Sequence, residues 1–414
     1  MALGNLELNF LREEFKRYYV EVSRSFKPPP AMEKREFGFI PFSPRKSMVR
    51  HRGFKTLEQL TGFLSSFAPS DVYYSSAYYE KPDVEDMKGK GWLGADLIFD
   101  IDCDHLNTAC KVSHDRWKCL DCGFEGVGVE PENCPKCGGR RIDAEKHVCE
   151  ECLKAARNEA LKLITMLEED FGFPTSQIKV AFSGHRGYHI HVEDPAIREL
   201  GSDERKEIVD YVLGSGLNVK LLYPEISKQP APKMDPSAEG WRGRIAKAVY
   251  SLLLKDENEL RRLGLRERTI KIIASNRDYL AEKIYVEDEI SRSKFPRSFW
   301  EDLIRASATL EAAAVDTVVT TDVHRLIRLP GTLHGKTGLK VVEIPIDELP
   351  SFNPLSDAIA FREDEKVKVK IVRSKSFKLG EAKYDVKAGE VREVSLPIAI
   401  FLLGMKWGAL PRQV

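Results

Sequence analysis

The chain has 414 residues, enough for two or three domains around a sizeable apolar core. Lys plus Arg and Asp plus Glu each number 64, which excludes a globally basic nucleic-acid binder and confines any such contact to local patches. No run of uncharged apolar residues is long enough for a bilayer span, and acidic residues stand where a secretory leader would be basic, so a cytoplasmic protein with no membrane contact is expected.

Residues 6–22 are spaced as an amphipathic helix that "KPPP" at 27–30 would stop. "DVYYSSAYYEKP" and "WLGADLIFDID" have the aromatic, β-branched and alternating character of strands. In the second of these, Asp100 and Asp102 are two apart and share one face, while Phe99 and Ile101 point into a core. Two like charges side by side need a cation, a solvated edge or a turn to cap. The geometry suits joint binding of Mg²⁺ or Mn²⁺, which is completed by few protein carboxylates together with phosphate oxygens.

Seven of the eight cysteines follow, between 110 and 152; Cys103 lies in the acid strand and is read as simply buried. Cys119, Cys122, Cys134 and Cys137 form two Cys-x-x-Cys pairs with turn glycines, the pattern of a structural zinc ribbon. Cys110, His114, Cys149 and Cys152 form an outer set, able to hold a second zinc if the insertion closes on itself, with His147 as an alternative to His114. Residues 153–171 place Leu153, Ala156, Ala160, Leu163, Ile164 and Leu167 on one helical face. "IKVAF" and "YHIHV" read as a hairpin joined by "SGHRG", a glycine-bearing turn that offers Ser183, His185 and Arg186 to phosphate oxygens, with His189 and His191 on one strand face beyond it.

Residues 196–312 read as a charged helical subdomain, in which Arg242, Arg244 and Lys247 are candidates for a template-binding surface or a merely solvated helix. "VDTVVTTD" reads as strand and offers Asp316 and Asp322 as a third acid. "RLIRLPGTLHGKTG" adds Arg325, Arg328, His334 and Lys336 at a Pro/Gly turn, a set of donors for anionic oxygens. The tail carries an alternating "VKVKIV" and an apolar "LPIAIFLLGM", too short to span a bilayer and read as a packed element.

"REFGF", "VYYSSAYYEKP", "WLGADLIFDID", "SGHRGYHIHV" and "RLIRLPGTLHGKTGLKV", in this order, resemble the catalytic small subunit of archaeal and eukaryotic DNA primases. The resemblance implies the archaeo-eukaryotic primase fold: an α/β (α+β) architecture with a mixed, largely antiparallel sheet as catalytic core (31–105, 153–195 and 313–363), a zinc-binding insertion (106–152), a helical insertion (196–312), an N-terminal helix (1–30) and a C-terminal extension (364–414). It implies Asp100, Asp102 and Asp316 as holders of two Mg²⁺ or Mn²⁺ ions, with Asp322 the competitor. Ser183, His185, Arg186, His189, Arg328, His334 and Lys336 would hold a triphosphate, and Glu36 and Arg50 would line the nucleotide site. The outer Cys/His set matches the family's zinc knuckle, and the inner ribbon an additional insertion. The implied activity is template-directed primer synthesis from nucleoside triphosphates on single-stranded DNA, in a heterodimer with a large subunit. The rival readings are a stand-alone primase-polymerase and a non-catalytic zinc-ribbon nucleic-acid-binding protein.

Overall fold

Alternation along Leu97–Asp102 becomes a strand whose Leu97, Ile98, Phe99 and Ile101 are fully buried, with Asp100 and Asp102 half-buried. In this computed structural model, which describes residues 4–45, 47–106, 108–227, 234–285 and 295–411, that acid strand lies at one edge of a four-stranded sheet. The order is Val342–Ile344, Ile178–Phe182, Gly187–Val192, Leu97–Asp102, with each neighbouring pair antiparallel. A second sheet orders Leu326–Arg328, Asp71–Ser75, Phe37–Ile40 and Val49–Arg52, again antiparallel throughout. The two sheets meet where Tyr74 stacks on His191, ring centroids 5.9 Å apart, both residues buried. The fold is thus α/β, with its antiparallel pairing divided among several small sheets.

The described chain divides into two compact units. One comprises residues 1–161, 175–205 and 315–414; the other comprises 162–174 and 206–314. In the first, the helix Asn5–Val22 buries Leu8, Leu11, Phe15, Tyr18 and Tyr19, the spacing of one helical face. The apolar run near the C-terminus is the helix Leu396–Gly404, buried at every position. No helix among the described residues is long and apolar enough to cross a membrane. Between this helix and the strand Gly408–Ala409, Trp407 is fully buried; its indole N–H donates to Glu145 at 2.7 Å, its ring stacks on His147, and Lys375 reaches the same Glu145 carboxylate at 2.8 Å. The tail therefore braces the cysteine-bearing insertion.

The second unit is helical, with Gly240–Leu253, Glu267–Lys283 and Arg297–Glu311 enclosing Trp241, Ile245, Val249, Ile273, Phe299 and Trp300. Arg244 does not belong to a template-binding surface: it is 6% exposed and its Nε donates to Asp170 at 2.6 Å. A guanidinium buried this deeply requires a carboxylate partner, and Asp170 supplies it.

A second departure concerns "VDTVVTTD", which forms not a strand but a short helix, Thr317–Thr321. Asp316 caps it, its Oδ1 accepting the Val318 N–H at 2.8 Å, and this cap together with a main-chain tie described below overrides the β preference of the branched residues.

Candidate functional site

The acid strand pairs with the strand after the glycine turn so that Asp100 stands opposite His189 and Asp102 opposite Gly187. His189 Nε2 is 3.5 Å from Asp100 Oδ1. The Asp316 N–H donates to the Asp100 carbonyl at 2.9 Å, which brings the cap of the short helix onto the acid strand. Asp322 sits at the other end of that helix, where its carboxylate accepts the His324 N–H at 2.9 Å. Asp316 rather than Asp322 is thus the acid beside Asp100.

Electrostatics reports the same convergence. Burial, then the charges of Asp102 and Asp316, push the Asp100 carboxyl up to about 7, against the pull of Arg325 and Arg328. Asp102 is raised as well, by burial and by Asp104. The charges of Asp102 and Asp316 both bear on Asp100, so the three carboxylates belong to one neighbourhood at the edge of the sheet.

Beside them lies the glycine-bearing turn, whose Gly187 pairs with Asp102. Ser183 closes the turn: its N–H donates to the Gly187 carbonyl at 2.9 Å, and its hydroxyl accepts the Gly187 N–H at 3.2 Å. Gly184 has φ +80°, and a Cβ there would lie 2.7 Å from His334 Cβ; a Cβ on Gly187 would lie 2.2 Å from the Ile101 carbonyl oxygen. Both glycines are therefore required for the loop to lie against the acid strand. Gly187→Ala is expected to cost about 1–3 kcal/mol, read as a lower midpoint in urea unfolding.

His185 stacks on His334, centroids 4.8 Å apart and planes 2° from parallel. Burial and then the nearby charges of Lys336, Arg186 and Arg328 hold the His185 imidazole well below its usual pKa. His189 is likewise held neutral, by burial, His191 and Arg328. Both imidazoles therefore act at neutral pH as hydrogen-bonding groups, not as cations.

Arg328 is placed by Asp71, whose carboxylate takes its Nη1 and also accepts the Gly335 N–H at 3.2 Å, and its guanidinium lies over the Tyr73 ring. Arg186 is fully buried, 3.4 Å from Asp104 Oδ1 and 3.4 Å from Asp115 Oδ2. Burial disfavours its charge, and these two carboxylates more than offset that. Glu36 and Arg50 are brought together, Nε to Oε1 at 2.9 Å, with Lys90 at 3.1 Å on the other oxygen. Burial works against the Glu36 charge, yet Arg50 and Lys90 hold its carboxyl below the usual range.

The cysteines form two groups whose ligand atoms lie within 4.8 Å of one another, and each could hold a metal ion. In the outer set, Cys110 Sγ is 3.4 Å from Cys152 Sγ and 3.7 Å from Cys149 Sγ, and His114 Nε2 is 3.5 Å from Cys152 Sγ. In the inner set, Cys119 and Cys137 are 3.6 Å apart and Cys122 and Cys134 3.7 Å. Tetrahedral zinc with bonds of about 2.3 Å to sulfur separates its ligands by roughly 3.8 Å, so both sets are compatible with zinc. His114, not His147, completes the outer set; the His147 ring is engaged with Trp407. Cys103 is buried, but its thiol is not idle packing, lying 2.8 Å from the Cys152 carbonyl and 2.6 Å from that of Arg186.

Asp71, Asp104 and Asp115, which fix the two arginines, went unseen in the sequence.

A family profile described as DNA primase small subunit matches residues 139–347. The chain is 36% identical to the DNA primase small subunit PriS of Methanothrix thermoacetophila, the alignment covering 95% of this chain and 96% of that one. It is 34% identical to PriS of Methanococcoides burtonii and 35% identical to PriS of Archaeoglobus fulgidus, with 95% of this chain and 96% of the relative covered in each case.

Proposed function

The chain belongs to the DNA primase small subunit family, and from that premise we propose that it synthesises short primers on single-stranded DNA from nucleoside triphosphates, as the catalytic partner of a large subunit. The observation that carries this reading is Asp100, raised to about 7 first by burial and then by Asp102 and Asp316, set next to a glycine-built loop with Arg186, Arg328 and Lys336 close by.

Asp100, Asp102 and Asp316 would hold Mg²⁺ or Mn²⁺. When bound, such ions lower the pKa of an attacking 3′-hydroxyl and neutralise a departing pyrophosphate. Arg186, Arg328 and Lys336 would meet the charge that develops on the triphosphate, while Ser183, His185, His189 and His334 supply neutral hydrogen bonds that orient it. Glu36, held by Arg50 and Lys90, would line the nucleoside end. Zinc in the two cysteine sets would be structural, since each set offers four protein ligands and leaves no open position.

The full chain, mixed with a single-stranded DNA template, nucleoside triphosphates and Mg²⁺ or Mn²⁺, is expected to yield short labelled products, and more of them when the large subunit is added. Equal yield without the large subunit would favour a stand-alone polymerase. Absence of product under all conditions would leave only the nucleic-acid-binding reading of the ribbon and defeat this one.

A further inference from the structure

The outer metal set and the glycine loop share a carboxylate. His114 turns Nε2 toward the thiols, and its other ring nitrogen, Nδ1, is 2.7 Å from Asp115 Oδ1. The same oxygen accepts the His147 N–H at 2.9 Å. The second oxygen, Oδ2, faces Arg186, 3.4 Å from Nη2 and 3.5 Å from Nη1. Asp115 is 6% exposed and Arg186 is fully buried, so the contact is shielded from solvent. A parallel tie runs through the main chain, where the Cys103 thiol lies between the carbonyls of Cys152, an outer-set ligand, and Arg186. The buried Arg186 Nε has no hydrogen-bond partner among the described residues, a donor left over after Asp104 and Asp115 have been counted.

We infer that Asp115 is a positioning residue that joins the metal set to the triphosphate loop, so that filling the outer set fixes where the Arg186 guanidinium presents its remaining donor. A ligating histidine needs its second nitrogen held to keep its ring oriented, and Asp115 does that on one side while anchoring the arginine on the other. Metal and nucleotide are then thermodynamically coupled, and each tightens the hold on the other by the same factor. The inference rests on the reading of Arg186 as a triphosphate ligand.

The test compares the full chain with Asp115→Asn, Asp115→Glu and Arg186→Ala, using two readouts: the dissociation constant for ATP and the rate of zinc release to a chelator with and without saturating ATP. Asp115→Asn is expected to weaken ATP roughly tenfold and to speed zinc release by about 10- to 100-fold, with Asp115→Glu recovering part of both. In the unaltered chain ATP slows zinc release from the outer set; in Asp115→Asn that protection disappears. Kinetically, Asp115→Asn raises KM for the nucleotide and lowers kcat, and Asp115→Glu recovers part of both. Weakened ATP binding in Arg186→Ala alongside unchanged ATP binding and zinc release in Asp115→Asn overturns the inference alone. Unchanged ATP binding in Arg186→Ala overturns the triphosphate reading and the inference with it.

Discussion

Asp100→Asn is expected to lower nucleotide incorporation by roughly 10³-fold or more while making the metal-free protein more stable at pH 8. The two effects share one cause. Asp100 is pushed up to about 7 first by burial and then by Asp102 and Asp316, whereas an unfolded aspartate ionises near its ordinary 3.8. The folded state therefore keeps the proton to higher pH than the unfolded state does. The cost of carrying the charge is absent below the unfolded value, grows as pH rises from about 4 to about 7, and is complete above that. Removing the charge should thus raise the melting temperature at pH 8, by an amount reflecting a few kcal/mol, and leave it nearly unchanged at pH 4. Added Mg²⁺ or Mn²⁺ should stabilise the unaltered chain and do little for the variant. Melting curves across this pH range, with and without divalent ions, check the electrostatics independently of catalysis. A variant that melts no higher than the parent at pH 8 would mean that the Asp100 charge carries no cost in the folded state.

Cys152→Ser should have the largest effect on stability. Cys152 is fully buried, its Sγ is 3.4 Å from Cys110 and 3.5 Å from His114, and its carbonyl faces the Cys103 thiol. Structural zinc contributes on the order of 10–16 kcal/mol in small domains, so losing one ligand of four should empty the outer set and lower the melting temperature by at least ~5 °C. Native mass spectrometry should count one zinc per chain in place of two. Affinity for nucleoside triphosphates should fall in parallel, because Asp115 loses the partner that orients it. Cys122→Ser, at an exposed position of the inner ribbon, provides the contrast: one metal lost, nucleotide affinity kept. Were Cys152→Ser to retain both metals, the outer set would not be a metal site.

How far the site could be read from the chain differs from part to part. Asp100 and Asp102 were legible because a strand repeats every two residues, and a pair of acids in a buried run has few harmless explanations. The cysteine sets were legible from spacing, since a four-ligand site must be drawn from neighbouring turns. Asp316 was legible as an acid but not in its setting: Val318 and Val319 suggest a strand, and it is the side-chain cap on the Val318 N–H, together with the bond from the Asp316 N–H to the Asp100 carbonyl, that sets a helix there. Arg244 looked like surface because its partner, Asp170, lies 74 residues away. Asp115 and Arg186 are separated by 71 residues and Asp71 and Arg328 by 257, so these pairings exist only once the sheets have assembled. Local pattern carries the ligands of a site, and tertiary packing carries what aims them.

The brace that Trp407 supplies to the cysteine-bearing insertion has a consequence for biosynthesis. Glu145 and its indole partner are 262 positions apart, so on the ribosome the insertion emerges long before the residue that clamps it. During that interval the nascent segment has only its own thiolates and imidazoles with which to hold a metal ion, without help from the tail. The C-terminal clamp is thus a late step, added to an insertion whose local strands and turns are already complete in sequence.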